Sequence, residues 1–184
     1  MENPADIIYI SFQISLGESG RHKAMTRIWE VYGKGLYYFI YRSFQNNSSL
    51  CDDCFQEVML KIYLALENYS YGYNLKPWLY TIARNSCFDY MRRDKDITCE
   101  LNSELFQAEL INPEESSIIN DLSNAIKNSI NELEEDDSRI AFLRFYENLK
   151  FKDIAKIMCM NENTVKTRIS SIKKKLRIEL SEWI

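Results

Sequence analysis

Apolar residues recur three and four positions apart along most of this 184-residue chain, a period that predicts amphipathic helices. The first apolar segment, Ile7-Ile8-Tyr9-Ile10, is short, and Gly17 and Gly20 follow it as breakers. From Arg21 to Phe44, Met25, Ile28, Trp29, Tyr32, Leu36, Phe39 and Ile40 predict one or two helices with those side chains in the core. A turn over Gln45–Ser49 leads to a helix from near Cys51, with Phe55, Val58, Met59, Ile62 and Leu66 as its buried stripe. A loop over Asn68–Lys76 follows, and Pro77 suits the first turn of a helix from Trp78 to about Arg93. That helix is expected to bury Leu79, Ile82, Ala83 and Phe88 and to expose Arg84, Asn85, Asp89, Arg92 and Arg93.

From Asp96 to Asn120 periodic apolar positions thin out, Pro113 intervenes, and the stretch reads as a linker. Helix resumes near Ile118 and runs to Leu133, and another covers Ser138–Tyr146 before a turn at Asn148. The stretch Phe151–Leu176 then reads as two helices around a tight turn, with Ile154, Ala155, Ile157 and Met158 as the stripe of the first. Asn161 is placed to cap the second by accepting from the Thr164 amide. Val165, Ile169, Ile172 and Leu176 form that helix's narrow buried stripe. At 100° per residue, Asn163, Lys166, Thr167, Ser170, Ser171 and Lys174 face the other way, and no acid lies between Thr164 and Ile178. Cations neutralise phosphates while hydroxyls and amides reach base edges, so this face suits a recognition helix in a major groove. The solvated face of an ordinary helical hairpin is the plainer explanation of the same pattern.

Charge changes the picture next. The net charge of −4 argues against a DNA binder only until its distribution is read. Seven acids and no base lie between Asp96 and Ile126, while bases gather in Arg84–Lys95 and Lys166–Arg177. Two basic sites separated by an acidic strip are therefore expected. No apolar run approaches the roughly 18 residues of a membrane span, and the acidic N-terminus lacks the basic region of a secretory signal. A cytoplasmic protein without membrane insertion is the expectation. Five cysteines include one close pair, Cys51 and Cys54, but no second such pair follows and His22 is the only histidine. A structural zinc site normally closes with four ligands, so no metal or cofactor is expected. No nucleophile–base pair or Gly-rich phosphate loop announces catalysis either, and the chain is not expected to be an enzyme.

Two further stretches carry candidate chemistry. Asp52, Asp53, Gln56 and Glu57 lie off the buried stripe at the start of their helix, where acids also favour the helix dipole. Tyr69, Tyr71 and Tyr73 surround Gly72 just before the basic helix. Rings that stack bases at about 1–3 kcal/mol each, beside cations that track the backbone, are how single strands are held. A tyrosine-rich loop that merely covers the core is the equal alternative.

The segment DDCFQEVMLKIYLALENY, with LKPWLYTIARNSCFDYMRRDK after it, resembles the second region of bacterial sigma factors. INELEEDDSRIAFLRFYENLKFKDIAKIMCMNENTVKTRISSIKKKLR resembles their fourth region. The short linker between them matches the extracytoplasmic-function (ECF) class. The resemblance implies an all-α protein: a region 2 domain over 1–95, a flexible acidic linker over 96–122 and a region 4 helix–turn–helix domain over 123–184. It implies binding to core RNA polymerase, recognition and melting of promoter DNA, and initiation of transcription. Asp53, Gln56 and Glu57 match the family's polymerase-docking D-x-x-Q-E. Tyr69, Tyr71, Tyr73, Asn74 and Lys76 fall in the loop that captures a flipped base of the −10 element. Trp78, Arg84, Asn85, Asp89 and Arg92 match the family's W-L-x-x-I-A-R-N-x-x-x-D-x-x-R, which implies Trp78 and Asp89 as architecture and puts Arg84, Asn85, Arg92 and the adjacent Arg93 near the promoter strands. Thr164-Val-Lys-Thr-Arg168 matches T-V-K-S-R of the −35 reader, which adds Arg168 to the six residues of the exposed face.

The chain departs from the family at Ser171, where many relatives carry arginine, and at Cys159, where they carry glycine. The second departure implies that Met160 or Asn161 absorbs the strain of the turn. Such factors are commonly held by an anti-sigma partner, which nothing in the sequence identifies. The rival readings are a polymerase-independent helix–turn–helix regulator with an N-terminal sensing or dimerising domain, and a metal or redox protein built on Cys51 and Cys54.

Overall fold

In the computed structural model the described residues are 4–44, 47–69, 74–93, 129, 133–179 and 181. They form seven α-helices and no strand. The linker placed at 96–122, most of the helix expected over Ile118–Leu133, and Tyr71 and Tyr73 lie outside the described residues.

The first apolar segment is a helix, α1 (Pro4–Ser15), laid against α2 (Glu18–Ser43). Of the two glycines expected as breakers, only Gly17 breaks the chain, at φ 78. Gly20 lies inside α2, where a Cβ would sit 1.8 Å from the Gln13 carbonyl oxygen, so it permits close approach of two backbones instead. α2 is one helix of 26 residues with a straight stripe of Ala24, Ile28, Tyr32, Leu36, Phe39 and Ile40, all buried. Trp29 is a correction: it stands 100° from Ile28 on the wheel, is 55% exposed, and lies over the Phe55 ring at 5.3 Å.

α3 (Ser48–Ala65) starts earlier than expected because Asn47 caps it, accepting from the Leu50 amide at 3.2 Å. A 3₁₀ turn over Leu66–Asn68 closes it. α4 (Leu75–Arg93) packs on both α2 and α3. Its stripe runs Leu75, Leu79, Tyr80, Ala83, Ser86 and Cys87. Ile82 is therefore only half-buried, and Phe88 turns outward beneath the Arg84 guanidinium, 4.0 Å from its ring.

The C-terminal half begins with α5 (Glu135–Ala141), which runs on into a π-helical turn over Phe142–Tyr146. Asn148, at φ 55, reverses the chain into α6 (Phe151–Met158), and α7 (Glu162–Glu179) follows. α7 packs on α5 and α6 through Val165, Ile169 and Ile172. The turn between α6 and α7 corrects an expectation. Cys159 itself takes the left-handed conformation, φ 52 and ψ 43. The Met160 amide donates to the Ala155 carbonyl at 2.9 Å and the Cys159 amide to the Lys156 carbonyl at 3.3 Å, the paired bonds of a Schellman stop. The two halves of the chain are packed together, α5 on α2 and α6 on α4.

Candidate nucleic-acid interface

α7 presents its two faces as the wheel predicts. Val165, Ile169 and Ile172 are buried, while Asn163, Lys166, Thr167, Ser170, Ser171 and Lys174 are all exposed. Asn161 caps the helix by accepting from the Asn163 amide at 2.8 Å, one residue earlier than the expected Thr164. Lys166 pairs with Glu162 at 2.8 Å on the helix surface, an exchangeable contact worth little against a phosphate. The Thr167 hydroxyl donates to the Asn163 carbonyl at 3.0 Å, so it is already oriented along the helix. Arg168 stands apart. It is half-buried, and its guanidinium holds Asp137 at 2.9 Å, which ties α7 to the start of α5.

On α3, Asp53 and Gln56 are exposed. Asp53 accepts at long range, 3.5 Å, from the Tyr90 hydroxyl. Glu57 is more enclosed and bridges two helices, to Lys61 at 2.8 Å and to Arg93 of α4 at 2.5 Å. The Lys61 ammonium, and after it Arg93, hold the Glu57 carboxyl below its ordinary value despite partial burial. The structure thus joins two residues that the sequence assigned to different partners. Lys61 also reaches Asp89 at 3.7 Å, and Arg92 pairs with Asp89 at 3.2 Å.

The basic end of α4 is accessible: Arg92 is 78% and Arg93 60% exposed. Asn85 is exposed beside Arg84, whose guanidinium donates to the Asn85 side chain at 3.4 Å. Tyr69 lies against Trp78 with ring centroids 5.0 Å apart, which anchors one end of the aromatic loop to α4. Asn74 is exposed. Lys76 is not: its side chain is 12% exposed and its ammonium pairs with Glu147 of the C-terminal half at 2.7 Å. The partner could not have been read from the sequence, because it lies 71 residues away in a turn with no motif of its own.

Cys54 faces Cys87 across α3 and α4, with sulfur atoms 3.9 Å apart, and not Cys51. All three thiols are fully buried. Burial, with a smaller contribution from Asp52, pushes the Cys51 thiol up to about 12, even though its hydrogen bond with Tyr37 works the other way. Among the described residues no cluster of three or more His, Cys, Asp or Glu side chains could hold a metal ion. No helix among them is long and apolar enough to cross a membrane.

The Sigma-70 region 2 family matches residues 28–97, and the Sigma-70, region 4 family matches residues 123–176. An all-helical chain carrying both regions in that order is a sigma factor of the sigma-70 class. The RNA polymerase sigma factor SigV of Bacillus subtilis (strain 168) is 30% identical over 146 residues, which cover 79% of this chain and 85% of SigV. The ECF RNA polymerase sigma factor SigW of the same organism is 26% identical over 184 residues, covering 94% of this chain and 97% of SigW. Among solved structures, the sigma factor RpoE from Bartonella quintana, in complex with the anti-sigma factor NepR, has the same fold. Its TM-score is 0.64 at 21% identity, over 86% of this chain and 98% of that one. The chain belongs to the ECF sigma factors of bacterial RNA polymerase. It associates with core RNA polymerase and directs promoter recognition. Sigma factors in general are initiation factors and not enzymes.

Proposed function

We propose that α7 reads the −35 element through Asn163, Lys166, Thr167, Ser170, Ser171 and Lys174. The observation that carries this reading is the division of that helix into a buried apolar stripe and an exposed face of cations, hydroxyls and an amide. Arg168 supports the face from behind, holding α7 on α5 through Asp137. The first two residues of the acidic face on α3, Asp53 and Gln56, dock directly on the core polymerase. Glu57 acts there too, while fixing α3 to α4 through Arg93.

The −10 element falls to the other half. Arg84, Asn85, Arg92 and Arg93 line the strand path along α4, and the loop bearing Tyr69, Tyr71, Tyr73, Asn74 and Lys76 takes the flipped base. Unstacking that base costs a few kcal/mol, which ring stacking and a fitted pocket offset, so melting belongs to this half. The functional division is 1–95 for polymerase and −10 binding, 96–122 as an acidic tether, and 123–184 for −35 binding. The chain performs no chemistry of its own and works in the cytoplasm, without membrane insertion. An anti-sigma factor is a fitting partner, since the structural relative of Bartonella quintana was solved with one.

Purified protein mixed with core polymerase from the same organism, followed by transcription from a randomised promoter pool, tests this assignment. Transcripts dependent on this chain should reveal both elements at once. A dimer that binds paired half-sites without polymerase would instead match an autonomous regulator.

A further inference from the structure

The buried cysteines of the N-terminal half have no part in the proposed function, yet two of them form a pair. The Cys54 thiol of α3 donates to the Cys87 sulfur of α4 at 3.9 Å, across 33 positions of the chain. Both side chains are wholly enclosed. Cys51, one turn before Cys54, does not join them: its thiol donates to the Tyr37 carbonyl at 3.8 Å. A disulfide holds its sulfur atoms about 2.05 Å apart, so Cys54 and Cys87 stand within roughly 2 Å of bonding distance while belonging to different helices.

The surroundings of Cys87 are also unlike those of an inert core thiol, which apolar burial keeps protonated. The hydrogen bond from the Cys54 thiol, then the Ser43 hydroxyl and the Arg139 guanidinium, hold the Cys87 thiol below its ordinary value, against burial and Glu135. Cys54 goes the other way, raised by the same hydrogen bond and by burial. Arg139, at the seam between the two halves, is 3% exposed and donates to Ser43 at 2.9 Å. Its terminal nitrogens are engaged by Ser43, Glu135 and Asp136, but its Nε–H has no partner among the described residues. A buried cation with an unused donor favours an anion in its neighbourhood. Cys87 is thus the thiolate of the pair and Cys54 its proton donor.

We infer that Cys54 and Cys87 are a redox-active dithiol whose oxidant is hydrogen peroxide, and that the disulfide they form fastens α3 to α4 and lowers initiation. The Cys87 thiolate attacks one peroxide oxygen, the O–O bond breaks, and hydroxide leaves as Cys87 becomes a sulfenic acid. The Cys54 sulfur then attacks the Cys87 sulfur, the S–O bond breaks, and a second hydroxide leaves. The two thiol protons convert both hydroxides to water, so two thiols are oxidised to one disulfide while one peroxide is reduced to two waters. Enclosure selects the oxidant. A molecule near the size of water enters on local opening, whereas a bulky disulfide such as oxidised glutathione does not.

The effect on initiation rests on the residue assignments proposed above, with the docking face on α3 and the strand-binding arginines on α4. Glu57 and Arg93 already touch at 2.5 Å between the same two helices. Drawing the sulfur atoms together therefore tilts or slides one helix on the other, and the two faces are held in a changed relation.

The test uses the full chain carrying Cys99→Ser and Cys159→Ser, which leaves three of its five cysteines. Hydrogen peroxide should lower the thiols titrated in denaturant from three to one per chain, and proteolytic mapping should place the link between Cys54 and Cys87. Dithiothreitol should restore all three, and oxidised glutathione should leave them untouched. With peroxide removed before core polymerase is added, initiation by the oxidised factor should fall at least about fivefold and recover with dithiothreitol. Adding Cys54→Ser or Cys87→Ser should make initiation indifferent to peroxide. Three thiols retained, a Cys51–Cys54 link, or a Cys87 sulfinic acid without a link would each overturn the dithiol, and mapping decides this without either serine variant. A Cys54–Cys87 link with unchanged initiation keeps the dithiol and overturns its control of initiation. Failure of the reduced factor to initiate counts against the residue assignments, while thiol count and map still decide the dithiol.

Discussion

At the scale of single residues, Cys159 shows how a departure from family pattern is absorbed. A left-handed conformation costs a non-glycine residue roughly 1–2 kcal/mol, and Cys159 bears it directly, with no shift to Met160 or Asn161. Glycine removes that strain but loses more entropy on folding. Cys159→Gly should therefore raise stability by a net ~0.5–1 kcal/mol, read as a higher denaturant midpoint with an unchanged slope. No gain would mean that the cysteine sulfur, 3.8 Å from the Lys156 carbonyl, compensates. Lys166 gives the functional counterpart. Its pairing with Glu162 is exposed and exchangeable, so Lys166→Ala should leave the fold intact and weaken initiation at −35-dependent promoters. One phosphate contact fewer should also flatten the salt dependence of binding by about one unit of slope. Wild-type initiation by that variant would remove Lys166 from the groove.

At the scale of elements, α3 and α4 are held in register by charge as well as by their apolar stripes. Glu57 spans them, and its carboxyl lies below the ordinary value of 4.5 because of Lys61 and Arg93. The sign follows directly. A carboxyl with a depressed folded pKa contributes stability that is complete above its unfolded value and is lost as pH falls through the folded one. Wild type should thus lose more stability than Glu57→Gln between about pH 5 and pH 2, measured by urea melts across that range. Parallel curves would show that the bridge contributes nothing. The same bridge means that Glu57→Lys, expected to weaken core binding by charge reversal, also sets three cations together. Glu57→Gln is the cleaner probe of docking, and normal holoenzyme formation by that variant would limit the polymerase contact to Asp53 and Gln56.

For the whole molecule, the seam between the halves should make unfolding cooperative. Phe142 is 4% exposed and contacts Tyr38 and Tyr80 of the N-terminal half. Truncating a buried aromatic typically costs about 3–5 kcal/mol. Phe142→Ala is expected to split a single calorimetric transition into two, as each half then melts by itself. A single transition that simply moves to lower temperature would show that Phe142 serves the C-terminal half alone.

Period and composition by themselves determined much of this. The 3.6-residue recurrence of apolar side chains gave α2, α3, α4, α6 and α7 but not α1, and the stripe Val165, Ile169, Ile172 gave the exposed face of α7, because helical geometry relates neighbours three and four apart without reference to anything distant. Family motifs then placed the candidate binding residues. What sequence could not reach is what depends on contacts between remote positions. Trp29 fits a helical apolar pattern but lies just off the stripe that α3 and α4 cover. Arg168 matches a reader's motif yet turns to Asp137, 31 residues away. Lys76 belongs by motif to a DNA-facing loop and is buried against Glu147, 71 residues away. Local periodicity is written in the order of side chains, whereas which two surfaces meet is settled only when the chain folds back and burial selects the pairs that fit.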